Sequence, residues 1–392
     1  MPAKNETIPL SEPYLMGRES EYLTECIESG WVSSVGAFVD KFEAHLSEFT
    51  KTNHAVATVN GTAALHTALM VSGVQPGDEV LVSNLTFIAP VNAIRHCGAI
   101  PVLIDAEPDY WQMDTQLLAR FLTEECQVSE RGLVNVSSGN VVKAIMPVHI
   151  LGHPCDMDDI GKLANKYSLS VVEDSTESLG SFWRDQPCGS IGDIGCFSFN
   201  GNKLVTTGGG GMVVTRDETV ALRARHLTTQ AKLPGTEFIH DETGYNYRLT
   251  NIQAAVGCAQ MEEISYLLKR KIEILERYRD AFSGRADVKV VGQAEKAKNC
   301  GWLSAIQVFD KEGTNRKSRD IQQYLSDHRI QARPLWQPMH LSPAHERFAR
   351  GAYPVSETLY KEVLCLPCSV GLTPLNQDVV IGHILQFLNS HS

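Results

Sequence analysis

Short apolar runs and amphipathic stretches alternate along the first two thirds of this 392-residue chain. The runs at Glu79–Ser83 and Ile100–Ile104 have the length of strands, whereas residues 88–97 between them are spaced as in a helix. The alternation continues through Met157–Tyr167, which is helical in spacing, and residues 169–172, another apolar run. Strands joined through helices usually pair in the same direction. The pattern therefore predicts an α/β fold with a mainly parallel sheet between helices.

The later part of the chain has a different pattern. Beyond about residue 285 the predicted elements are shorter, with strands at residues 288–291 and 303–309 among helices. A long helical stretch over residues 251–280 precedes them. We therefore expect a large α/β domain at residues 1–280, including the N-terminal segment, and a small α+β domain at residues 281–392.

The chain is acidic, with 46 Asp and Glu against 35 Lys and Arg. Nucleic-acid binding draws on clustered positive charge, so we expect no nucleic-acid partner. No stretch approaches the roughly 20 apolar residues of a membrane helix. The N-terminus is polar and has no apolar core like that of a signal peptide. The default expectation is a cytoplasmic protein without a membrane partner.

Ten cysteines are spread over the chain, and Cys365 and Cys368 form the one close pair. A pair at this spacing can serve redox chemistry or bind zinc. A zinc site would need a second close pair of ligands, which the sequence lacks at the usual spacing, so we predict no metal site. We expect two small apolar side chains in a late strand.

Gly61 and Thr62 stand between a predicted strand and a predicted helix. A helix N-terminus has unpaired N–H groups and the positive end of the helix dipole, so it can hold a phosphate. Gly61 has no side chain to keep an anion away, and Thr62 adds a hydroxyl donor. The alternative is that Asn60 or Thr62 caps the helix and nothing binds there.

An acidic group follows the apolar run near residue 172. Glu173, Asp174 and Glu177 come after two valines, at the predicted carboxyl end of a strand. Ligands of open α/β sheets bind at this edge, which favours a binding role. The alternative is an acidic strand end that faces water, or a helix cap at Asp174.

Lys203 follows another predicted strand and precedes four consecutive glycines, residues 208–211. Such a run is costly in chain entropy, which suggests a sharp bend or close packing beside a ligand. Single lysines are most often solvated, but a lysine in this setting is a candidate Schiff-base nucleophile. A phosphate cradle, a carboxylate and a lysine are together what pyridoxal phosphate (PLP) requires. The combination predicts PLP as the cofactor.

Four motifs carry a resemblance to a known family: residues 60–65 (Asn-Gly-Thr-Ala-Ala-Leu), 172–180 (Val-Glu-Asp-Ser-Thr-Glu-Ser-Leu-Gly), 198–203 (Ser-Phe-Asn-Gly-Asn-Lys) and 244–249 (Gly-Tyr-Asn-Tyr-Arg-Leu). With these motifs the chain resembles the sugar aminotransferases of the DegT/DnrJ/StrS type over nearly its whole length. The resemblance implies PLP-dependent fold type I. Its large domain has a mainly parallel seven-stranded sheet between helices, and its small C-terminal domain is α+β.

The resemblance also implies a role for individual residues. Lys203 would bond to the cofactor and later carry protons, Asp174 would pair with the pyridinium nitrogen, and Glu177 would lie near the ring hydroxyl. Phe87 would stack on the ring, unless it is an ordinary core phenylalanine. Asn246 would reach the phosphate of the neighbouring subunit in a homodimer, unless it is a turn asparagine. The residues implied at the phosphate within one chain are Gly61, Thr62, Ala63 and Ser198.

Some members of the family carry histidine in place of the lysine and act as dehydratases, so Lys203 favours transamination. Residues 30–36, 177–182, 206–212 and 244–248 look most similar to one branch of the family. That branch transfers an amino group from L-glutamate to C4 of UDP-4-keto-6-deoxy-N-acetylglucosamine, on routes to legionaminic acid or bacillosamine-like sugars. The alternatives are a C3 or GDP-linked ketosugar, another PLP-dependent lyase reaction, and a non-catalytic regulatory protein.

A sugar diphosphate needs cationic or donor groups, which Arg248 and Arg333 could supply. Trp31 and Trp336 could each instead be core residues, and His149 could be a structural histidine at a strand end. The candidate substrate-binding residues are Trp31, Ser33, His149, Arg248, Arg333, Trp336 and His340.

Overall fold

The computed structural model describes residues 7–309 and 317–390. The α-helices of these residues are α1 (Glu19–Ser29), α2 (Ala37–Thr50), α3 (Gly61–Val71), α4 (Ala89–His96), α5 (Thr115–Arg120), α6 (Met157–Tyr167), α7 (Glu218–Thr228), α8 (Asn251–Glu262), α9 (Ile264–Phe282), α10 (Lys317–Asp327), α11 (Pro354–Glu362) and α12 (Pro374–Ser390). The strands are β1 (His54–Thr58), β2 (Glu79–Ser83), β3 (Ile100–Ile104), β4 (Cys126–Ser129), β5 (Gly132–Asn135), β6 (Val142–Met146), β7 (Ser170–Asp174), β8 (Phe182–Trp183), β9 (Gln186–Pro187), β10 (Ile194–Ser198), β11 (Gly211–Thr215), β12 (Val288–Val290), β13 (Ala297–Lys298), β14 (Ser304–Val308), β15 (Arg333–Pro334) and β16 (Val363–Leu366).

The largest sheet has seven strands in the order β1-β11-β10-β7-β6-β2-β3. The pairs from β10 through β3 are parallel, and β11 runs antiparallel to both of its neighbours. β11 reverses direction because a glycine-rich connection without a helix joins it to β10, so the chain turns back at the same edge. The prediction of a mainly parallel seven-stranded sheet is confirmed.

Helices cover both faces of this sheet. Side chains alternate between the faces, so Val213 packs into the core under α3, α4 and α7 while its neighbour Val214 packs under α1, α2 and α8. A further cluster on the second face lies beneath α5 and α6. Because central strands such as β2 are buried along their whole length, their apolar residues, here 80–82, are consecutive rather than alternating.

The predicted helical stretch over residues 251–280 is two helices, α8 and α9. The break falls at Glu263, whose backbone leaves the helical region. α8 is packed tightly against α2, where a Cβ on Gly257 would lie 2.7 Å from the ring of Phe42. The break lets α9 turn away from α2 and pack against the four-stranded sheet that follows it in the chain. Ile274 and Tyr278 of α9 belong to the hydrophobic core of that sheet.

A four-stranded antiparallel sheet, in the order β12-β14-β16-β15, follows α9. The N-terminal segment is bonded next to this sheet, because the Ile8 amide donates to Arg329 O and the Gln331 amide to Ile8 O. The division at residues 1–280 and 281–392 stays a prediction, and its boundary falls inside α9.

Cys365 lies in β16, and both it and Cys368 are fully buried. All ten cysteines, which lie within the described ranges, are free thiols. The close pair thus consists of two small buried side chains near a late strand, as predicted. Among the helices that the structure describes, none is long and apolar enough to cross a membrane.

Candidate active site

A cavity of about 750 Å³ lies at the carboxyl ends of the parallel strands. Ligands of open α/β sheets bind at this edge, and the volume is in the range of small-molecule sites. Six of the predicted cofactor-binding residues line it: Gly61, Thr62, Phe87, Glu177, Ser198 and Lys203. Three of the four sequence motifs, at residues 60–65, 172–180 and 198–203, therefore meet in one place, whereas no residue of the fourth, 244–249, lines the cavity.

The start of α3 forms one wall of the cavity. Asn60 caps the helix, since its side-chain oxygen accepts a hydrogen bond from the Ala63 amide at 2.8 Å. The preceding amides, of Gly61 and Thr62, have no partner within the helix, and both residues line the cavity. Capping of α3 by Asn60 is therefore compatible with an anion site formed by the Gly61 and Thr62 amides. Ala63 is buried outside the cavity lining, with its amide already bonded to Asn60.

Gly61 packs directly on Ser198, the last residue of β10. A Cβ on Gly61 would lie 2.7 Å from the Ser198 Cβ and 3.0 Å from its Oγ. Any larger residue would push the first turn of α3 away from the strand end. Glycine thus lets the helix amides and the Ser198 hydroxyl share one small region of the cavity, which is a donor set suited to a phosphate.

The run of four glycines brings a second strand end close to the same helix. Gly208 has a φ of +76°, which favours glycine, and a Cβ on Gly211 would collide with the main-chain oxygen of Asn60. Gly209 and Gly210 line the cavity. The expectation of a sharp bend and close packing beside a ligand site is confirmed in its geometry.

Lys203 lies in the connection between β10 and β11 and reaches into the cavity. Its Nζ is 4.0 Å from Oε1 of Glu177 and 4.0 Å from the centroid of the Trp302 ring. The side chain is only 13% exposed. Burial lowers the pKa of its ammonium group, although the carboxylates of Glu177 and Asp174 act in the opposite direction. A lowered pKa enlarges the neutral fraction, and the neutral amine is the nucleophile and proton acceptor.

Two buried carboxyl groups lie near this lysine. Glu177 accepts a hydrogen bond from the Leu151 amide at 2.7 Å, and burial raises the pKa of its carboxyl to about 7. Asp174 ends β7, accepts a hydrogen bond from the Thr176 amide at 3.0 Å, and also has its pKa raised by burial. A nearby positive charge stabilises the ionised form of such groups. Lys203 supplies one, and a protonated ring nitrogen would supply another.

His149 does not reach the cavity, which corrects its prediction as a substrate-binding residue. It is fully buried, and both ring nitrogens are occupied. Its Nε2 bonds to Glu173 at 2.9 Å, and its Nδ1 accepts from the Cys155 amide at 3.0 Å. Because Glu173 also accepts the amides of Gly189 and Ile191, the pair ties β7 to the segment after β6 and to the segment before β10. The alternative interpretation, a structural histidine, fits this arrangement.

His340 is also held away from the cavity, although its neighbour Met339 lines it. Its ring stacks on Tyr353 with the centroids 4.4 Å apart. Its Nδ1 lies 2.9 Å from the Asn84 side chain and its Nε2 lies 3.3 Å from Glu357. These contacts link the end of β2 to the C-terminal part of the chain, and they place the His340 ring among packing partners outside the cavity lining.

The remaining predicted substrate residues divide into two groups. Arg333 and Trp336 line the cavity. Trp31, Ser33 and Arg248 lie outside its lining, as does Asn246, whose backbone pairs with Thr229. Trp31 is 58% exposed and is therefore no core residue. Phe87 is 57% exposed at the cavity, so the core alternative fails for it too.

Several residues of the cavity were not predicted, and Trp302 is the most prominent. It follows Gly301, whose φ is +67°, in the connection between β13 and β14. That glycine is the only local hint of a specific backbone shape. Nothing in the sequence near Trp302 indicates that its ring lies beside Lys203.

A sequence model of the DegT/DnrJ/EryC1/StrS aminotransferase family matches residues 13–385. The chain belongs to this family. GDP-perosamine synthase of Escherichia coli O157:H7 is 37% identical to it, over 95% of this chain and 96% of that protein. GDP-perosamine synthase of Caulobacter vibrioides is 36% identical, over 97% and 98%. A crystal structure of a family member from Brucella abortus matches with a TM-score of 0.85 and 28% identity, over 94% of this chain and 95% of that one.

As a member of this family, the protein is a PLP-dependent sugar aminotransferase. The donor set of the cavity fits this cofactor. Helix amides and the Ser198 hydroxyl suit its phosphate and the Lys203 amine suits its aldehyde, while the Asp174 carboxyl, buried outside the residues that line the cavity, suits a protonated ring nitrogen. Membership confirms the predicted family, cofactor and fold.

Proposed function

We propose that this enzyme transfers the amino group of L-glutamate to the C4 keto carbon of a nucleotide-linked 4-keto-6-deoxy sugar. The observation that carries the proposal is the position of Lys203, whose amine shares one cavity with the helix cradle at Gly61 and the Glu177 carboxyl. The relatives named GDP-perosamine synthase support C4, since perosamine carries its amino group at that carbon.

Lys203 is proposed as the proton carrier. When bound, PLP supplies a carbon that accepts the amino group and a ring that takes up electron density. The Lys203 Nζ takes the proton from Cα of glutamate and returns a proton to C4 of the sugar in the second half of the cycle. Each uptake needs the neutral amine, which the burial of Lys203 favours by lowering its pKa.

Asp174 and Glu177 are proposed to hold the cofactor ring. The Asp174 carboxylate would keep the ring nitrogen protonated, because a positive partner stabilises its ionised form against the burial that raises its pKa. Glu177, held in place through its bond to the Leu151 amide, would lie near the ring hydroxyl. Phe87, exposed at the cavity, would stack on the ring face.

The substrate end of the site is proposed to be completed by a second copy of the chain. Asn246 and Arg248 lie outside the cavity of their own chain, as do Trp31 and Ser33. In a homodimer they would be available to the partner's cavity, with Asn246 at its phosphate. Arg333 lines the cavity of its own chain and would bind the diphosphate of the sugar nucleotide.

The nucleotide has two candidates. The GDP-perosamine synthases at 37% and 36% identity favour a GDP-linked sugar. The motifs at residues 30–36 and 206–212 resemble the branch that uses a UDP-linked sugar. In addition, a UDP-4-amino-4-deoxy-L-arabinose–oxoglutarate aminotransferase of Shewanella sediminis is 30% identical over 78% of this chain. We place GDP first because those relatives are more similar and match nearly the full length.

The test is a two-step assay of purified enzyme. Glutamate alone should yield one equivalent of 2-oxoglutarate per site. Addition of the GDP-linked or the UDP-linked 4-keto-6-deoxy sugar should then give the amino sugar, detected by mass spectrometry. We expect kcat/KM at least about tenfold higher for the GDP-linked sugar, which corresponds to about 1.4 kcal/mol of binding discrimination.

Each step can fail separately. Failure of the glutamate step would contradict the proposed amino donor. A normal glutamate step without amination of either ketosugar would contradict the proposed acceptor. A preference for the UDP-linked sugar would reverse the order of the two nucleotides. An amino group at C3, located by NMR of the product, would contradict the proposed position.

A further inference from the structure

Trp302 touches the reactive end of Lys203. Its ring is almost fully buried, with 1% of the residue exposed, and forms part of the cavity lining. The Lys203 Nζ lies 4.0 Å from the ring centroid. At this distance an aromatic face attracts an ammonium group, and it also limits where the flexible lysine chain can swing.

Trp302 also touches the backbone that carries the lysine. Its indole N–H donates to the main-chain oxygen of Asn202 at 2.9 Å, immediately before Lys203. The Lys203 amide donates to Asn200 O at 2.9 Å within the same turn. The Trp302 side chain therefore contacts both the backbone just before Lys203 and the amine at the end of the Lys203 side chain.

The backbone of Trp302 is held by a buried lysine. Lys271, in α9, is only 2% exposed and donates to the main-chain oxygens of Trp302 at 2.8 Å and Cys368 at 2.6 Å. The ring also meets Trp336 edge-on, with the centroids 6.2 Å apart. By donating to both carbonyl groups, the buried Lys271 side chain holds the Trp302 backbone between α9 and the end of β16.

We propose that Trp302 is a positioning residue for Lys203. The inference rests on the proposed function, because it takes Lys203 as the proton carrier. A lysine that leaves the cofactor has several free torsions, and a displacement of about 1 Å can cost roughly 100-fold in rate. By contacting both the peptide before Lys203 and its amine, the indole limits where that amine can move, which would keep it close to the carbons between which it carries the proton.

The first test compares Trp302→Leu, which removes the aromatic face, with Trp302→Phe, which keeps a face and loses the N–H. We expect Trp302→Leu to lower kcat for the glutamate step by about 30- to 100-fold with KM changed less than about threefold. Trp302→Phe should retain kcat within about fivefold. Trp183→Phe, at a buried tryptophan in β8 outside the cavity, is the matched control and should equal the wild type.

A second readout uses cofactor-free protein. Labelling of Lys203 by acetic anhydride, followed across pH by peptide mass spectrometry, gives the midpoint of its titration. Loss of the attracting face should lower that midpoint by about 0.5–1 pH unit in Trp302→Leu and leave it unchanged in Trp302→Phe. If Trp302→Leu fails to fold, Lys271→Met takes its place in the test. It loosens the Trp302 backbone without removing the ring, and it should lower kcat about three- to tenfold.

The outcomes separate this inference from the proposed function. Wild-type kcat and midpoint in Trp302→Leu, or wild-type kcat in Lys271→Met, would overturn the positioning role. So would equal losses of kcat in Trp302→Leu and Trp183→Phe, since they would reflect general packing. If Lys203→Ala turned over normally, the proposed function itself would fail.

Discussion

Gly61→Ala adds one methyl group to the cavity wall where α3 meets the end of β10. That carbon would lie 2.7 Å from Cβ of Ser198, 3.0 Å from its Oγ and 3.4 Å from a methyl carbon of Thr176. Carbon atoms pack at about 3.5–4.0 Å, so the first turn of α3 must move by about 1 Å away from β10. Overpacking of this kind costs about 1–3 kcal/mol of stability.

The same movement should weaken cofactor binding. A helix amide displaced by about 1 Å loses its hydrogen bond to an anion, because bonds longer than about 3.5 Å contribute little. Hydrogen bonds to charged groups contribute about 1.5–3 kcal/mol each. Loss of one such bond at Gly61 or Thr62 predicts an affinity for PLP about 10- to 150-fold lower than that of the wild type.

Gly161→Ala is the matched control, since Gly161 lies in α6 and an added Cβ there meets no atom within 4 Å. It should stabilise the protein by about 0.5–1 kcal/mol through helix propensity and leave PLP affinity unchanged. Urea unfolding of cofactor-free protein gives the stabilities, and spectroscopic titration with PLP gives Kd. If Gly61→Ala matched Gly161→Ala in both measurements, the reasoning about the cradle would be refuted.

Three further substitutions test the buried groups. Lys203→Ala should fold, lose the absorbance band of lysine-bound cofactor and lose turnover; normal turnover would contradict its role. Asp174→Asn should lower kcat by at least about 100-fold, because a neutral partner cannot hold the ring proton; a few-fold change would contradict that role. Burial raises the pKa of Glu177 from its ordinary value of 4.5 to about 7. The folded protein therefore keeps a proton that the unfolded chain has released, and its free energy of unfolding should fall by up to about 3 kcal/mol as pH rises through this window. Glu177→Gln should flatten that slope in urea unfolding of cofactor-free protein at pH 5 and 7.5, and an unchanged slope would assign the effect elsewhere.

Local periodicity predicted the elements of the large sheet closely. The ranges Glu79–Ser83, Ile100–Ile104 and Met157–Tyr167 are the same in sequence and structure. Strands buried on both faces are continuous apolar runs, and an exposed helix such as α6 alternates its faces, so each pattern is visible within a short window. The break at Glu263 was missed because both flanking segments are good helices, and only packing against α2 separates their directions.

The candidate site, like the fold, could be predicted from local sequence only in part. The location of Gly61 and Lys203 at the cavity could be anticipated because each closely follows the end of a strand, where its residue type is costly or unusual, and Asp174 ends a strand beside them; their roles stay predictions. His149 is also a residue of a type common in active sites, and it also follows a strand. Its ring, however, is hydrogen-bonded to Glu173 in the interior. Local pattern cannot distinguish a histidine with satisfied bonds from one that faces a cavity, because the partners come from distant segments.

The sequence by itself determined the order of cradle, acid and lysine along the chain, and with it the family and the cofactor. Tertiary structure alone decided which of the remaining candidates meet them. It brought Arg333 to the cavity, held His340 against Asn84, and set Trp302 beside Lys203. The physical reason is that these contacts depend on how the second sheet and α9 pack against the first sheet, and such packing leaves no periodic signal in the sequence.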